Sequence, residues 1–504
     1  MQFFEKHFLT VFFVLILLLG LISMSSCRKD LSFDASPNTS LSFSVDTLRF
    51  DTVFTTLASI TKRVVVRNTS SKWIKISEIR VENGLSSFFR INIDGNPSLL
   101  VQDVEIAPKD SIFIFVRVTI DPSNANNPFE IQEKILFQLN GKNQTLYLNA
   151  WGQNAYYHLP DKVLKIPYQN ETNPNKIDTQ YIPYSIIDCS RPLPSDKPHI
   201  VYGYWVVDSE STLVIPAGTK IYFAPDATLW VYDGGSLKVQ GQRGQIVSFQ
   251  SMRLDAHYKD VAGQWGRIWL SAGSKDNEIN YALIKNGTVG IWADTLANNN
   301  PTLLINNTII KNMSAVGLLA QGSSIRGSNL VISNCQTASL ALTLGGNYSF
   351  YQSTFTNYWA GNLKTTYSLL LNDYYVDQKQ QTQLRPFDRI EFINCIFYGH
   401  NEEQLSFDLK SKSAIPYKFD YCLIRHKASL NEAYVNCVIN QDPLFVDFAN
   451  SNFEITDSKS PAIGRGTSTG ATLAPLDING VFRSGIPTIG AYEYTPKDPN
   501  PSNR

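Results

Sequence analysis

A short run that returns after 22 residues constrains the fold of this chain more than any other feature. NTIIKNMSAVGLLA is followed by NLVISNCQTASLAL, so that Asn307 recurs as Asn329 and Asn312 as Asn334. Related runs extend the series in both directions, with steps of 26, 22 and 23 residues between the shared asparagines. A period of about 20 to 30 residues is typical of a solenoid, in which each repeat stacks on the next.

Two types of solenoid have repeats of this length, and the variation in repeat length distinguishes between them. A leucine-rich repeat needs leucines at fixed offsets and a constant length, whereas a parallel β-helix tolerates turns that lengthen outward. Each coil of a β-helix lies about 4.8 Å from the last, so equivalent residues sit above one another. We therefore expect Ile310 over Ile284 and Ile332 over Ile310 in the core. The repeated asparagines should mark a corner and bond their equivalents in a ladder.

These runs resemble right-handed parallel β-helix proteins of secreted bacteria, the pectate-lyase-like group. The C-terminal text strengthens the resemblance: QDPLFVDFANSNFEITDSKSPAIGRG and IGAYEY look like the closing segment of such surface proteins. The resemblance covers about residues 200–494 and implies that the last segment caps the open strand edge of the final coil.

The text before the repeat alternates apolar and polar residues around turns, as in VVVRNTSSKWIKI and IAPKDSIFIFVRV. A hairpin is predicted at Asn140-Gly141, the strongest short hairpin signal. About seven strands in about 110 residues match an immunoglobulin-like sandwich. The segment is similar to the Ig-like modules that precede other domains in bacterial surface proteins.

The first 27 residues have the pattern of a targeting segment. A basic start at Lys6 precedes an apolar run and then Ser25-Ser26-Cys27, the order of a secretory signal peptide. The ending resembles the lipobox of bacterial lipoproteins, which implies cleavage before Cys27 and lipidation of its thiol. An uncleaved anchor is the alternative, although the apolar run is at the short limit for spanning a bilayer.

The predicted fold class is therefore all-β, an Ig-like β-sandwich followed by a right-handed parallel β-helix solenoid. The predicted segments are a lipoprotein signal peptide (1–26), a tether (27–40), the sandwich (41–153), a connector (154–199), the β-helix (200–448), a C-terminal cap segment (449–494) and a disordered tail (495–504). This predicts a lipid-anchored protein of the cell envelope, on the outer membrane. The sequence does not decide between the periplasmic and surface faces.

Composition excludes some functions. The formal net charge is zero, with 44 basic and 44 acidic residues, so bulk charge predicts no nucleic-acid partner. Five cysteines follow Cys27, which is an odd number, and none of them has the spacing of zinc ligands. They read as core residues, with a disulfide among Cys395, Cys422 and Cys437 as the alternative.

Catalysis has two candidate clusters, and neither carries a family motif. The chain has no Asp-Asp pair and no Gly-His-Gly, which the hydrolases of this fold use. A lyase needs a base and a neutraliser for the uronate carboxylate. Arg253, Asp255, His257 and Asp260 form the denser loop. The other cluster joins His400, Glu402 and Glu403 to Arg425 and His426, one coil on. No cofactor is expected, and Ca²⁺ would enter only with a lyase.

Binding without cleavage is the function that the sequence favours. A β-helix offers a long flat face with a fixed side-chain repeat, which suits an extended polymer. Trp265, Trp269 and Trp292 fall in or beside coil runs and are the candidate binding residues. The expected partners are the membrane, through the lipid, and a polysaccharide or surface protein. The alternative is a divergent polysaccharide lyase acting on uronate-containing polymers.

Overall fold

The computed structural model describes residues 32–54, 61–119, 129–169, 176–254, 258–294, 301–359, 366–411, 415–427 and 429–496. The chain forms two compact units, Met1–Gln153 and Asn154–Arg504. The predicted signal peptide and Cys27 lie outside the described residues. Within those residues, no helix has the length and apolarity needed to cross a membrane.

Unit one consists of strands, and its described part places them in two sheets. The strands are β1 (Leu41–Phe43), β2 (Thr47–Phe54), β3 (Lys62–Asn68), β4 (Ile74–Val81), β5 (Phe89–Ile93), β6 (Leu100–Ile106), β7 (Ser111–Val118), β8 (Phe129–Leu139) and β9 (Lys142–Gln153). One sheet has the order β1-β3-β7-β5 and the other β2-β9-β8-β4-β6. A 3₁₀ turn, Gly84–Ser86, joins β4 to β5.

Alternating apolar residues explain how these two sheets hold together. Val64 and Val66 of β3, and Ile114 and Val116 of β7, are fully buried, whereas the residues between them are not. Inward side chains of both sheets form a single apolar cluster, as the period-two pattern requires. The hairpin predicted at Asn140-Gly141 is confirmed, because β8 and β9 pair antiparallel across it.

The predicted tether is folded in its described part. Phe33 pairs with Trp73, and the amide of Asp34 donates to the Trp73 carbonyl at 2.7 Å. The Asn140 side chain donates to the carbonyls of Asp34 and Ser36. Residues 33–36 therefore belong to unit one rather than to a free linker.

The regular secondary structure described in unit two is almost entirely short strands. From its start to the middle of the repeat they are β10 (Tyr156–His158), β11 (Lys162–Gln169), β12 (Ile177–Ile186), β13 (His199–Val201), β14 (Tyr204–Val207), β15 (Thr212–Pro216), β16 (Lys220–Phe223), β17 (Thr228–Val231), β18 (Ser236–Gln240), β19 (Val247–Ser251), β20 (Ile268–Leu270), β21 (Asn277–Asn280), β22 (Ala282–Lys285), β23 (Val289–Ala293), β24 (Leu303–Asn306), β25 (Ile309–Met313) and β26 (Val316–Gln321).

The remaining strands complete the repeat and the C-terminal segment. They are β27 (Ser324–Ser328), β28 (Val331–Cys335), β29 (Ala338–Thr343), β30 (Gly346–Tyr351), β31 (Thr354–Asn357), β32 (Tyr367–Asn372), β33 (Tyr374–Val376), β34 (Thr382–Leu384), β35 (Phe387–Ile393), β36 (Ile396–Gly399), β37 (Leu405–Asp408), β38 (Tyr417–Asp420), β39 (Leu423–Ile424), β40 (Tyr434–Val435), β41 (Val438–Ile439), β42 (Phe445–Asp447) and β43 (Asn452–Ile455). A 3₁₀ turn (Phe448–Asn450) and helix α1 (Ser468–Leu473) follow β42 and β43, respectively.

Three long sheets take successive strands in rotation. The eleven-stranded sheet has the order β10-β13-β16-β19-β22-β25-β28-β31-β36-β39-β41, and the ten-stranded sheet β11-β12-β14-β17-β20-β23-β26-β29-β32-β37. The nine-stranded sheet has the order β15-β18-β21-β24-β27-β30-β35-β38-β40. Apart from the antiparallel pair β11–β12, all these pairings are parallel. The prediction of an all-β chain is thus confirmed, and the long parallel sheets are consistent with a β-helix.

The predicted core register is also confirmed. Ile284 pairs with Ile310, and Ile310 with Ile332, at successive strands of the eleven-stranded sheet. All three side chains are fully buried. Phe355 continues the same column, so the core changes from aliphatic to aromatic residues along the sheet.

The repeated asparagines lie at corners, but their ladder is not where the sequence predicts it. Asn307, Asn312, Asn329 and Asn334 all have positive φ, between 50° and 57°, a conformation that asparagine tolerates better than most residues. Asn329 Nδ2 donates to Asn307 Oδ1 at 2.8 Å. Asn312 and Asn334 instead bond Asp260 and Ser451, so the ladder expected at that corner is absent there.

The parallel sheets begin before the predicted boundary at residue 200. β10 pairs with β13 and β12 with β14, which places most of the predicted connector inside unit two. The five described cysteines are free. Cys395, Cys422 and Cys437 each precede paired strand residues in the same sheet, consistent with a role in the core.

The C-terminal segment contacts the parallel structure along one face rather than at its end alone. Asn394 bonds Thr467 in both directions, and the Ala491 amide donates to the Thr354 hydroxyl. Apolar residues of the segment also pack on Val331 and Ile396 of the eleven-stranded sheet. The segment therefore covers the outer face of that sheet over several strands, which differs from the cap that the sequence suggests.

Candidate functional site

The loop predicted to carry catalysis is tied to the eleven-stranded sheet. Asp255 and His257 lie outside the described residues. The Arg253 guanidinium lies over the Tyr258 ring, 3.2 Å from its centroid. Asp260 Oδ1 accepts from Asn312 Nδ2 at 3.2 Å and lies 4.0 Å from Lys285 Nζ. The described contacts of Asp260 hold the loop against the eleven-stranded sheet, and Arg253 packs on Tyr258. Among these contacts, Arg253 and Asp260 neither touch each other nor share a partner.

Trp265 does not belong to a binding surface. It is 1% exposed and stacks on Phe223 with ring centroids 4.3 Å apart. Its Nε1 donates to the Lys285 carbonyl at 2.8 Å. The prediction of Trp265 as a contact residue is corrected, because the chain turns this ring into the core.

Trp269 and Trp292 lie together on the outer face of the ten-stranded sheet, and Trp230 joins them. In register, Trp230 pairs with Trp269 and Trp269 with Trp292. Their ring centroids are 4.9 and 5.7 Å apart, with interplanar angles of 9° and 28°. We call these three residues the tryptophan row. Sequence reasoning missed Trp230, although LWV, IWL and IWA repeat one pattern at three strands.

Stacking limits what the tryptophan row can present. Both faces of Trp269 are covered by its neighbours, and the Arg267 guanidinium lies 4.7 Å from the Trp292 centroid. All three rings are half-buried. The row therefore offers ring edges to a ligand rather than open faces.

Arg267 is the charged member of this surface. Burial lowers the pKa of its guanidinium, and its Nε is buried without a hydrogen-bond partner. No ion pair to Arg267 is formed by the described residues. The indole Nε1 atoms of Trp230 and Trp269 are likewise buried and unpartnered, whereas Trp292 Nε1 donates to Gln321 at 2.8 Å.

The row continues as two parallel columns of side chains. The apolar column consists, in strand order, of Trp230, Trp269, Trp292, Leu319, Ala341 and Leu370. Two residues further along each strand, and so on the same face, is the polar column of Gln321, Thr343, Asn372 and Asp408. At one strand every 4.8 Å or so, the apolar column is about 24 Å long.

The second predicted cluster comes together in part, at the far end of the core. His426 Nδ1 lies 2.5 Å from Glu403 Oε1, and His426 Nε2 lies 3.2 Å from the Tyr434 hydroxyl. Glu402 pairs with Lys427, and the Arg425 guanidinium donates to the Gly399 carbonyl. His400 contacts Tyr358 instead.

Glu403, His426 and Tyr434 are hydrogen-bonded in a row, as in a proton relay. Their position, however, is at the end of the apolar core, where Tyr434 packs on it. Tyr434 pairs with Phe419, whose side chain is fully buried, and the two rings stack at 5.1 Å. Burial raises the pKa of the Tyr434 phenol, which disfavours a phenolate base. Three cavities among the described residues, near Arg90, near Arg465 and near His158, are lined by other residues. Across the same residues, no cluster of three or more His, Cys, Asp or Glu is placed to hold a metal ion.

No protein-family model and no curated protein matches this chain. Among solved structures, a family 123 glycoside hydrolase from Clostridium perfringens is 12% identical over 22% of this chain and 26% of that one, with a TM-score of 0.16. The VesB protease of Vibrio cholerae is 10% identical over 22% and 31% of the two chains, with a TM-score of 0.17.

A PapD-like domain of human CEP192 is 10% identical over 26% of this chain and 94% of its own, with a TM-score of 0.16. At these scores, none of the three assigns a fold or an activity to this chain.

Proposed function

We propose that this chain is a cell-envelope lipoprotein in which an Ig-like module precedes a right-handed parallel β-helix. The two sheets of unit one around a shared core support the Ig-like assignment. Parallel strands connected within one sheet follow a right-handed path in almost all proteins, which supports the handedness. The envelope location rests on the sequence before Cys27, in which a basic start, an apolar run and small residues follow one another.

We further propose that the β-helix binds an extended glycan along the outer face of the ten-stranded sheet, without cleaving it. The observation that carries this proposal is the apolar column beside the polar column, in register over several strands. A polymer with apolar ring faces and hydroxyl groups would contact the accessible members of both columns at once, Ala341 being buried.

The chemistry of the two columns suits such a polymer. Gln321, Thr343 and Asn372 carry amide or hydroxyl groups that donate and accept, which sugar hydroxyls require. Arg267 adds a positive charge beside Trp292, which favours a carboxylate on the polymer.

A binding screen of the full chain against neutral and uronate polysaccharides tests the proposal. Replacing Trp269 by Ala should weaken binding about tenfold or more, since hot-spot aromatic residues contribute at least about 2 kcal/mol. Tyr147→Ala is the matched control, because Tyr147 is an exposed aromatic of unit one at 51% exposure. Circular dichroism of both variants checks that the fold is retained. Equal affinity of both variants for the bound polymer would contradict the proposal.

The same screen separates binding from lyase action. We expect no release of unsaturated sugars from uronate polymers when calcium is present. Turnover that disappears in Arg253→Ala or His257→Ala would replace the proposal by the lyase, with the loop as its site.

Lipidation has its own test. We expect Cys27→Ser to move the protein from the membrane fraction to the soluble fraction, because the thiol that carries the lipid is removed. Membrane fractionation of cells that express either form measures this. A variant that stays in the membrane would indicate an uncleaved anchor. Ser26→Ala is the control that leaves the thiol in place.

A further inference from the structure

A cavity of about 410 Å³ lies at the first strands of unit two, away from the tryptophan row. Apolar walls come from residues such as Ile187 and Leu193, and aromatic walls from His158, His199 and Trp205. Three charged residues, Asp161, Asp188 and Arg191, also line the cavity. Its volume is within the range of small-molecule sites, about 300 to 1,000 Å³. The cavity takes no part in the proposed glycan surface.

The Pro194 carbonyl fixes the tautomers of two histidines in this cavity. His199 Nε2 is 2.8 Å from the Pro194 carbonyl oxygen, which can only accept, so Nε2 of His199 carries the proton. The neutral ring then has an acceptor at Nδ1, which lies 2.9 Å from His158 Nε2. His158 Nε2 is therefore the donor in that bond, and His158 Nδ1 is left with a free lone pair.

The chain keeps His158 in this neutral, accepting form. Burial is the main cause that lowers the pKa of His158 to about 3, and repulsion from His199 adds to it. Burial also lowers the pKa of His199. Across neutral pH the lone pair on His158 Nδ1 is thus available to a donor, and no hydrogen bond among the described residues uses it.

Two more polar groups in the cavity wall lack partners. Ser185 Oγ is buried with no hydrogen bond, although a buried hydroxyl is normally satisfied. Ser185 pairs in register with Trp205, so their side chains are neighbours on one face. The Trp205 indole lies 4.3 Å from the His158 ring, and no described hydrogen bond uses its Nε1.

We propose that this cavity binds a small neutral ligand that presents a hydroxyl group on an apolar ring. The ligand hydroxyl donates to His158 Nδ1 and accepts from Trp205 Nε1 or Ser185 Oγ, while the ring lies against the apolar wall. A group that both donates and accepts satisfies these atoms, and neither a hydrocarbon nor an anion does.

Titration of the full chain labelled with ¹⁵N in the histidine rings tests this. The chain has six histidines, so the ring signals are few enough to assign. Phenol and cyclohexanol are the two probes, and they distinguish an aromatic from an aliphatic ring as the carrier of the hydroxyl. Toluene is the control without a hydroxyl. We expect one of the probes to shift His158 Nδ1 at saturation, and toluene to bind about tenfold more weakly or not at all.

Variants identify the groups that bind the probe. Ser185→Ala and His158→Phe should each weaken the active probe about threefold to tenfold. Ser209→Ala and His400→Phe replace exposed residues outside the cavity and should leave its affinity unchanged. Should His158→Phe fail to fold, the shift of His158 Nδ1 in the unmodified chain still decides the question.

Three results would overturn the proposal. The first is that neither probe shifts His158 Nδ1 at any concentration reached. The second is that toluene binds as tightly as the hydroxyl probe, which would make the cavity merely apolar. The third is a hydroxyl probe whose affinity is unchanged by both Ser185→Ala and His158→Phe.

Discussion

Single residues with positive φ mark corners between or within the strands of unit two. The corners at Asn307, Asn312, Asn329 and Asn334 need positive φ, and asparagine meets this need at lower cost than other residues with a side chain. Glycine does a different task at Gly317, where an added Cβ would lie 2.3 Å from the Ile332 Cγ2 atom. The repeated Asn in the sequence is thus a backbone signal first, and a ladder partner only at one corner.

Arg483 holds the C-terminal segment through several buried hydrogen bonds. It is 3% exposed, and its Nη atoms donate to Asn329 Oδ1 and to the carbonyls of Ala474, Gly490 and Ala491. We expect Arg483→Met to lower the free energy of unfolding by about 3 to 5 kcal/mol, because these acceptors and nearby carboxylates lose their buried partner. Urea denaturation measures the change.

An exposed arginine of the same segment provides the control for Arg483→Met. Arg465→Met should change the free energy of unfolding by less than about 0.5 kcal/mol, as surface substitutions do. If Arg483→Met were as mild as Arg465→Met, the segment would not be held by this side chain.

At the scale of elements, each parallel sheet has an end where inward side chains lose their next neighbour. At the start, His158 and His199 pair in register with Val201 and Ile221, which are fully buried. At the other end of the core, the Tyr434 ring stacks on the Phe419 ring of the neighbouring strand. Polar aromatic residues therefore close both ends of the core, which lets them pack on one side and hydrogen-bond on the other.

Stability should fall in mild acid because of the first of these ends. The folded-state pKa of His158, about 3, is below the unfolded value near 6.5, so only the unfolded chain takes up this proton between those values. Its contribution to stability is complete above about pH 6.5 and declines as the pH falls toward 3. We expect the urea midpoint of unit two to decrease between about pH 7 and about pH 5.

Two histidine variants test whether His158 causes this pH dependence of stability. His158→Phe should flatten the decrease, since the titrating ring is gone, whereas His400→Phe should leave the slope as it is. An unchanged slope in His158→Phe would mean that other groups cause the loss of stability in acid.

Periodicity predicts elements well here and fails where contacts come from distant sequence. The column of Ile284, Ile310 and Ile332 follows from spacing alone, because stacking fixes the register. The burial of Trp265 and the cluster of Trp230 with Trp269 could not be read from spacing. The burial of Trp265 depends on the direction in which the chain turns before it. The pairing of Trp230 with Trp269 spans 39 residues, because residues 252–264 are inserted between the two strands. The face covered by the C-terminal segment is likewise set by long-range contacts.

At the scale of the whole molecule, two separate cores divide the chain. Unit one buries a cluster that includes Ile114, and unit two buries another that includes Ile332. A single apolar core stops growing near about 250 to 300 residues, so a chain of 504 residues is expected to use more than one. Each core is complete within its own unit, which makes each unit a candidate for cooperative unfolding by itself.

Calorimetry of the full chain should therefore show two unfolding transitions rather than one. Ile114→Ala and Ile332→Ala each remove a fully buried side chain, which costs about 2 to 5 kcal/mol through lost burial and the cavity left behind. We expect Ile114→Ala to lower the Tm of one transition only, and Ile332→Ala to lower the Tm of the other only. The two variants serve as controls for each other, because the chemical change is identical and only the unit differs. If a single transition moved with either substitution, the two cores would unfold as one cooperative body.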